Sequence, residues 1–199
     1  MTEPAVKIPD YTKIACYDEV RGDVHDGDLL LWRPVNAIGR LIAGATGTHI
    51  SHASMAAWRG GRLYNLEMIQ WAGGQHQPLS TQVAKWPHSC EVWRPQSDQF
   101  NGKGAVEAML WLMGQRYGWG DFCRISVRTL LPKALIPQAI DSFDPDVPRV
   151  CSSSYAWAAR TGGNETCCPG KPDLDVSPGD LVKSTFARYL FTLTPEPVR

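Results

Sequence analysis

The apolar positions of this chain fall into short blocks punctuated by Gly, Pro and Asn, and the period within each block predicts its element. Residues 28–32 (Asp-Leu-Leu-Leu-Trp) follow Gly27, precede Pro34 and are continuously apolar after Asp28, the pattern of a buried strand. Asn36 predicts the cap of a short helix in which Ala37, Ile38, Leu41, Ile42 and Ala45 share a face, with Gly44 and Gly47 near its end. Residues 50–58 and 62–69 predict a hairpin, because Gly60-Gly61 between Arg59 and Arg62 suits the positive φ angles of a tight turn. Residues 90–94 predict a third strand. Residues 103–115 predict a helix with Val106, Met109, Leu110 and Met113 on one stripe.

Further along, residues 117–121 lead into a second helical stretch ending at Pro132, and residues 132–149 read as loop because they hold four prolines. Residues 151–160 predict a helix ended by Gly162-Gly163. Residues 177–192 begin with a Ser-Pro-Gly-Asp turn and continue as helix or strand. The order of strand, helix, hairpin, strand and helices implies an α+β fold, a small antiparallel sheet packed against helices. The expected organisation is an irregular lead-in over 1–26, a single domain over 27–192 and a tail over 193–199.

Composition narrows the function classes. The chain has 199 residues, 43 % of them hydrophobic, so one domain can bury a sizeable core. Twenty Lys and Arg balance twenty Asp and Glu, leaving no basic surface to argue for nucleic-acid binding. No run approaches the length of a membrane span, and residues 1–28 lack the apolar centre of a signal peptide. A cytoplasmic location is therefore the default expectation, with export or packaging into a particle leaving no sequence trace. Of the six cysteines, only Cys167 and Cys168 are adjacent, and without a signal peptide most are expected to be reduced.

Two residues carry candidate chemistry. Cys151 opens a predicted helix, where the positive end of the helix dipole favours thiolate. The free N–H groups of that first turn can contribute to an oxyanion hole. His52 stands at the start of an otherwise apolar strand, a place where a structural histidine is the plainer reading. His49 and His52 form a His-x-x-His pair, but no third ligand stands at suitable spacing, so neither metal nor cofactor is expected.

The hairpin changes the weight of His52. With Gly60-Gly61 as the loop, Arg59 faces Arg62, His52 faces Ile69 and Ser54 faces Glu67. His52, Ser54, Glu67 and Ile69 then share one face. Glu67 becomes the diagonal neighbour of His52 at roughly 7–8 Å between backbones, within reach of both side chains. A carboxylate on the far ring nitrogen would fix the tautomer of a catalytic base. A register slip of one residue would separate the pair.

In chain order, Gly-Asp-Leu-Leu-Leu-Trp at 27–32, Ser-His-Ala-Ser-Met-Ala at 51–56, Tyr-Asn-Leu-Glu at 64–67, Tyr-Gly-Trp-Gly-Asp-Phe at 117–122, Cys-Ser-Ser-Ser-Tyr-Ala-Trp at 151–157 and Ser-Pro-Gly-Asp-Leu at 177–181 resemble the permuted NlpC-type, papain-fold hydrolases (YiiX/YaeF-like). In ordinary NlpC peptidases the cysteine motif precedes the histidine; here the histidine strand comes first. The resemblance covers residues 24–185 in outline. It implies a circularly permuted papain-like fold with Cys151 as nucleophile, His52 as general base and Glu67 as the orienting residue. Val150 departs from the pattern, since ordinary NlpC peptidases carry an acidic residue before the cysteine.

Tyr117, Trp32 and Trp119 are candidates for lining the substrate groove, with core packing as the plainer alternative for each. Three functional classes follow. The first is a cysteine amidase or endopeptidase, most naturally on cell-wall peptide. The second is a lipid-directed acyl hydrolase or acyltransferase of the same fold. The third is a catalytically silent binding or structural component of a phage-like or secreted particle. An apolar groove beside Cys151 would favour lipid, and one with polar and charged ends would favour peptide.

Overall fold

The structure is a computed structural model and describes residues 13–116 and 150–197. Its strands are β1 (Ile14–Cys16), β2 (Leu29–Trp32), β3 (His52–Arg59), β4 (Arg62–Ile69), β5 (Gly73–Pro78), β6 (Cys90–Pro95) and β7 (Ala187–Thr194). Its helices are α1 (Tyr17–Val20), α2 (Ala37–Thr46), α3 (Leu79–Lys85), α4 (Gly102–Trp111), α5 (Cys151–Thr161) and α6 (Pro178–Lys183). The strands form one seven-stranded sheet in the order β1-β7-β6-β2-β3-β4-β5. Every pairing is antiparallel except that of β1 with β7.

β2 lies at the centre, which accounts for its unbroken apolar run. Leu29 and Leu31 face one core with Met55, Leu66 and Met68, covered by Val106 and Met109 of α4 and Tyr155, Ala156 and Ala159 of α5. Leu30 and Trp32 face the opposite core with Ala56, Leu63 and Val92, covered by Leu79 and Val83 of α3 and by Tyr17. A strand covered on both faces has no need of polar alternation.

Asn36 caps α2 by accepting from the Gly39 N–H at 2.8 Å, and Gly47, at φ 63°, ends the helix in the left-handed region. Gly60 and Gly61, at φ 55° and 74°, make the hairpin turn. The paired residues run from Arg59–Arg62 to Met55–Leu66, the register set by that turn.

The structure departs from the expectations in four places. Residues 13–26 are not simply irregular, since β1 extends the sheet beside β7 and α1 follows it. β5 and α3, between the hairpin and β6, have little apolar signal and were expected as neither strand nor helix. α4 ends at Trp111, short of residue 115, because the chain turns at Gly114 and bonds to β5 through Gly114 N–H to Gly74 O at 2.8 Å and Gly74 N–H to Gln115 O at 2.9 Å. Residues 177–192 are both helix and strand, as α6 and β7, and β7 runs on to Thr194. The predicted helical stretch after residue 117 and the loop over 132–149 lie outside the described residues.

Candidate active site

Three elements converge on Cys151. α5 places it at the first helical position, where Val150 precedes the helix in extended conformation. The Ser153 hydroxyl closes this helix start, accepting from the Val150 N–H at 3.1 Å and facing the Val150 carbonyl at 3.1 Å. Ser152 ties the same turn to the segment before α6 by donating to Val176 O at 2.7 Å. These neighbouring serines hold the cysteine's backbone, and Cys151 as a residue is only 7 % exposed.

His52 is the first residue of β3 and faces Cys151 across the floor of one cleft, close enough that each shifts the other's pKa. On its other side, its Nε2 meets Glu67 Oε2 of β4 at 2.8 Å. Glu67 is buried at 4 % exposure, so its oxygens are satisfied by protein partners rather than by water. The observed β3–β4 pairing stops at Met55–Leu66, and the two residues meet just beyond it.

That splaying also frees a donor. The Ala56 N–H bonds to Asp28 O of the preceding segment at 2.9 Å, so strand alternation turns the Ala53 N–H away from β2. With β4 no longer paired there, the Ala53 N–H and the Ser152 N–H are left to stabilise negative charge on the Cys151 sulfur. Burial pushes the thiol pKa up, but the adjacent imidazolium and these two N–H groups outweigh it and hold the thiol below its ordinary value. Burial likewise opposes charge on His52, and the Cys151 thiolate and Glu67 carboxylate together raise the imidazole well above its ordinary value. The arrangement favours a thiolate–imidazolium pair.

A cleft of about 310 Å³ opens over these residues. Trp32, Val35, Ile38, Ile42, Ile69 and Trp86 supply apolar walls. Arg33, Asn36, Gln70, Gln77, Gln82 and Lys85 supply polar and cationic positions. Trp32 thus lies in the cleft, with its indole N–H pinned to Ser54 Oγ at 2.8 Å. The proposed groove residues Tyr117 and Trp119 lie outside the described residues.

His49 does not join His52. Its Nε2 meets Glu91 Oε1 at 2.8 Å, and the same fully buried carboxylate receives Arg33 Nε at 3.0 Å and Trp93 Nε1 at 3.1 Å. This second histidine–glutamate pair fixes Arg33 at the edge of the cleft. The sequence reading missed it, because Glu91 sits inside an apolar strand and meets His49 across 42 positions.

No family profile matches the chain, and no curated protein matches it in sequence. Among solved structures, the chain is similar to the metalloprotein yiiX from Escherichia coli O157:H7, with a TM-score of 0.60 and 14 % identity over 86 % of this chain and 99 % of that one. At that identity the likeness concerns the fold, a YiiX-like mixed arrangement of one sheet and flanking helices. Among the described residues here, no group of three or more His, Cys, Asp or Glu side chains is placed to hold a metal ion. Among the same residues, no helix is long and apolar enough to cross a membrane.

Proposed function

We propose that this protein is a cysteine hydrolase of the permuted NlpC-type, papain-like class, cleaving an amide or ester through an acyl-enzyme on Cys151. The observation that carries this reading is the buried sequence of contacts Cys151–His52–Glu67 at the floor of a cleft. A nucleophile, a base within hydrogen-bond range and a third group orienting the base are the parts this chemistry requires.

In this mechanism the Cys151 thiolate attacks the carbonyl carbon, and the carbonyl π electrons move to oxygen. In this reading, N–H groups at the start of α5 receive the developing oxyanion. Collapse expels the leaving group, which takes the proton held on His52, and a thioester remains. His52, now neutral, takes a proton from water as the water attacks that thioester. Collapse of the second intermediate breaks the C–S bond, releasing the acid and expelling the Cys151 thiolate beside the imidazolium, which restores the starting pair. Glu67 orients the His52 ring and stabilises the imidazolium.

The cleft supports a peptide substrate, most naturally a cell-wall peptide. Gln70, Gln77 and Asn36 can bond a peptide backbone, while Arg33 and Lys85 provide charged positions beside the apolar walls. One feature favours a lipid-directed enzyme instead: α2 lines the cleft with Ile38 and Ile42 and leaves Leu41 73 % exposed beside them. Incubation with purified peptidoglycan and, in parallel, with phospholipid vesicles separates the two. The proposal expects new amino and carboxyl termini from peptidoglycan, abolished in Cys151→Ala. Fatty-acid release alone would assign the lipid reading. Neither product, with folded protein, would contradict hydrolysis of either substrate.

A further inference from the structure

Glu67 has two carboxylate oxygens, and His52 engages only Oε2. The other, Oε1, receives the side-chain amide of Gln82 from α3. Gln82 is itself held in place. Its carbonyl oxygen accepts from the fully buried Asn65 Nδ2 at 2.5 Å, and its nitrogen also reaches Gln77 Oε1 at 3.4 Å. With its oxygen committed to a donor on β4, the amide can present only N–H groups to Glu67.

From this chain of contacts, and resting on the hydrolase reading above, we propose that Gln82 is a positioning residue for the Cys151–His52–Glu67 site. It saturates the far oxygen of Glu67, so that the near oxygen stays aimed at His52. A buried carboxylate with one unpaired oxygen would be free to rotate away from His52. That freedom weakens the support that the imidazolium gives to the Cys151 thiolate. Gln82 acts through Glu67, and its own amide need not touch the reacting atoms. α3 is thereby assigned a role: Leu79 and Val83 seat it on the sheet, and the turn between them delivers Gln82 to the carboxylate.

The test needs no knowledge of the substrate. The rate of Cys151 alkylation by iodoacetamide, followed by mass spectrometry from pH 5 to 10, reports the thiolate pKa directly. Gln82→Met keeps the side chain's length and removes the donor. Gln82→Glu keeps its shape and sets a second carboxylate against the first. Both are expected to move the midpoint of the Cys151 profile upward by at least about 0.5 pH unit, a roughly threefold lower rate on the acid limb. Thr81→Ala, on the exposed side of the same helix, is expected to leave the midpoint in place. Two folded variants that alkylate with the wild-type profile would overturn the role of Gln82 while leaving the dyad standing. A wild-type Cys151 that titrates as an ordinary thiol would overturn the hydrolase reading, and the role of Gln82 with it.

Discussion

The chemistry concentrates in a few atoms whose charges are interdependent. Cys151 is held below and His52 above their ordinary pKa values by their mutual attraction, with Glu67 adding to the second effect. The thiolate–imidazolium pair therefore occupies the pH range between a lowered thiol and a raised imidazole. Hydrolysis should rise with pH as Cys151 ionises and fall as His52 loses its proton. Glu67→Gln removes one cause of the raised imidazole, so the alkaline limb of kcat/KM moves to lower pH. At neutral pH that variant is expected to lose on the order of 10²–10⁴-fold in kcat/KM, the usual contribution of a supported general base. The pH–rate profile checks both expectations, and unchanged limbs would remove Glu67 from the site. For stability, the raised imidazole contributes fully below its unfolded value, and that contribution disappears as pH climbs through the raised one.

The legibility of these residues in the sequence was uneven. The Gly60-Gly61 turn specified a register, and the register made Glu67 the natural partner of His52. Gln82 was invisible because its helix is only seven residues long and shows too little periodicity to read. Glu91 was invisible because a buried acid within an apolar strand gives no local hint of its distant partners.

Among the elements, α5 has the most demanding position, since it must lie close to α4 and still bring its first residue to the β3 terminus. Small residues make the approach between the helices possible. A Cβ on Gly104 would stand 2.2 Å from Gly162 O, and one on Gly162 would stand 1.9 Å from Gly104 O. Gly104→Ala should therefore shift the helices and cost about 1–3 kcal/mol, the range for an overpacked interior. Urea denaturation checks the magnitude, and a loss below about 0.5 kcal/mol would show that the helices separate freely. Helix periodicity revealed both helices, but the contact between their glycines is long-range and has no signature in either segment. β5 was missed for a different reason. It is an edge strand of polar residues and two glycines, so the alternation that marks a half-buried strand is absent.

Across the whole molecule, the sheet brings together pieces that are far apart in the chain. β2 and β3 carry the histidine into the centre, β4 and β5 continue the hairpin to one edge, and β7 with β1 completes the other. The broad reading of helices packed on an antiparallel sheet holds, enlarged to seven strands with a parallel pair at one edge. The helix bearing Cys151 follows the histidine strand by almost a hundred positions and returns to its first residue. Local pattern could propose each half of that meeting, but only tertiary packing joins them. The central claim is that this meeting makes one reactive thiol among several inert ones: burial pushes Cys90, Cys167 and Cys168 up, whereas Cys151 is held down. The most direct test is iodoacetamide labelling of the whole protein at pH 6, with every cysteine quantified by mass spectrometry. The account predicts selective modification of Cys151, lost in His52→Ala. Uniform labelling, or a Cys151 no more reactive than Cys168, would contradict it.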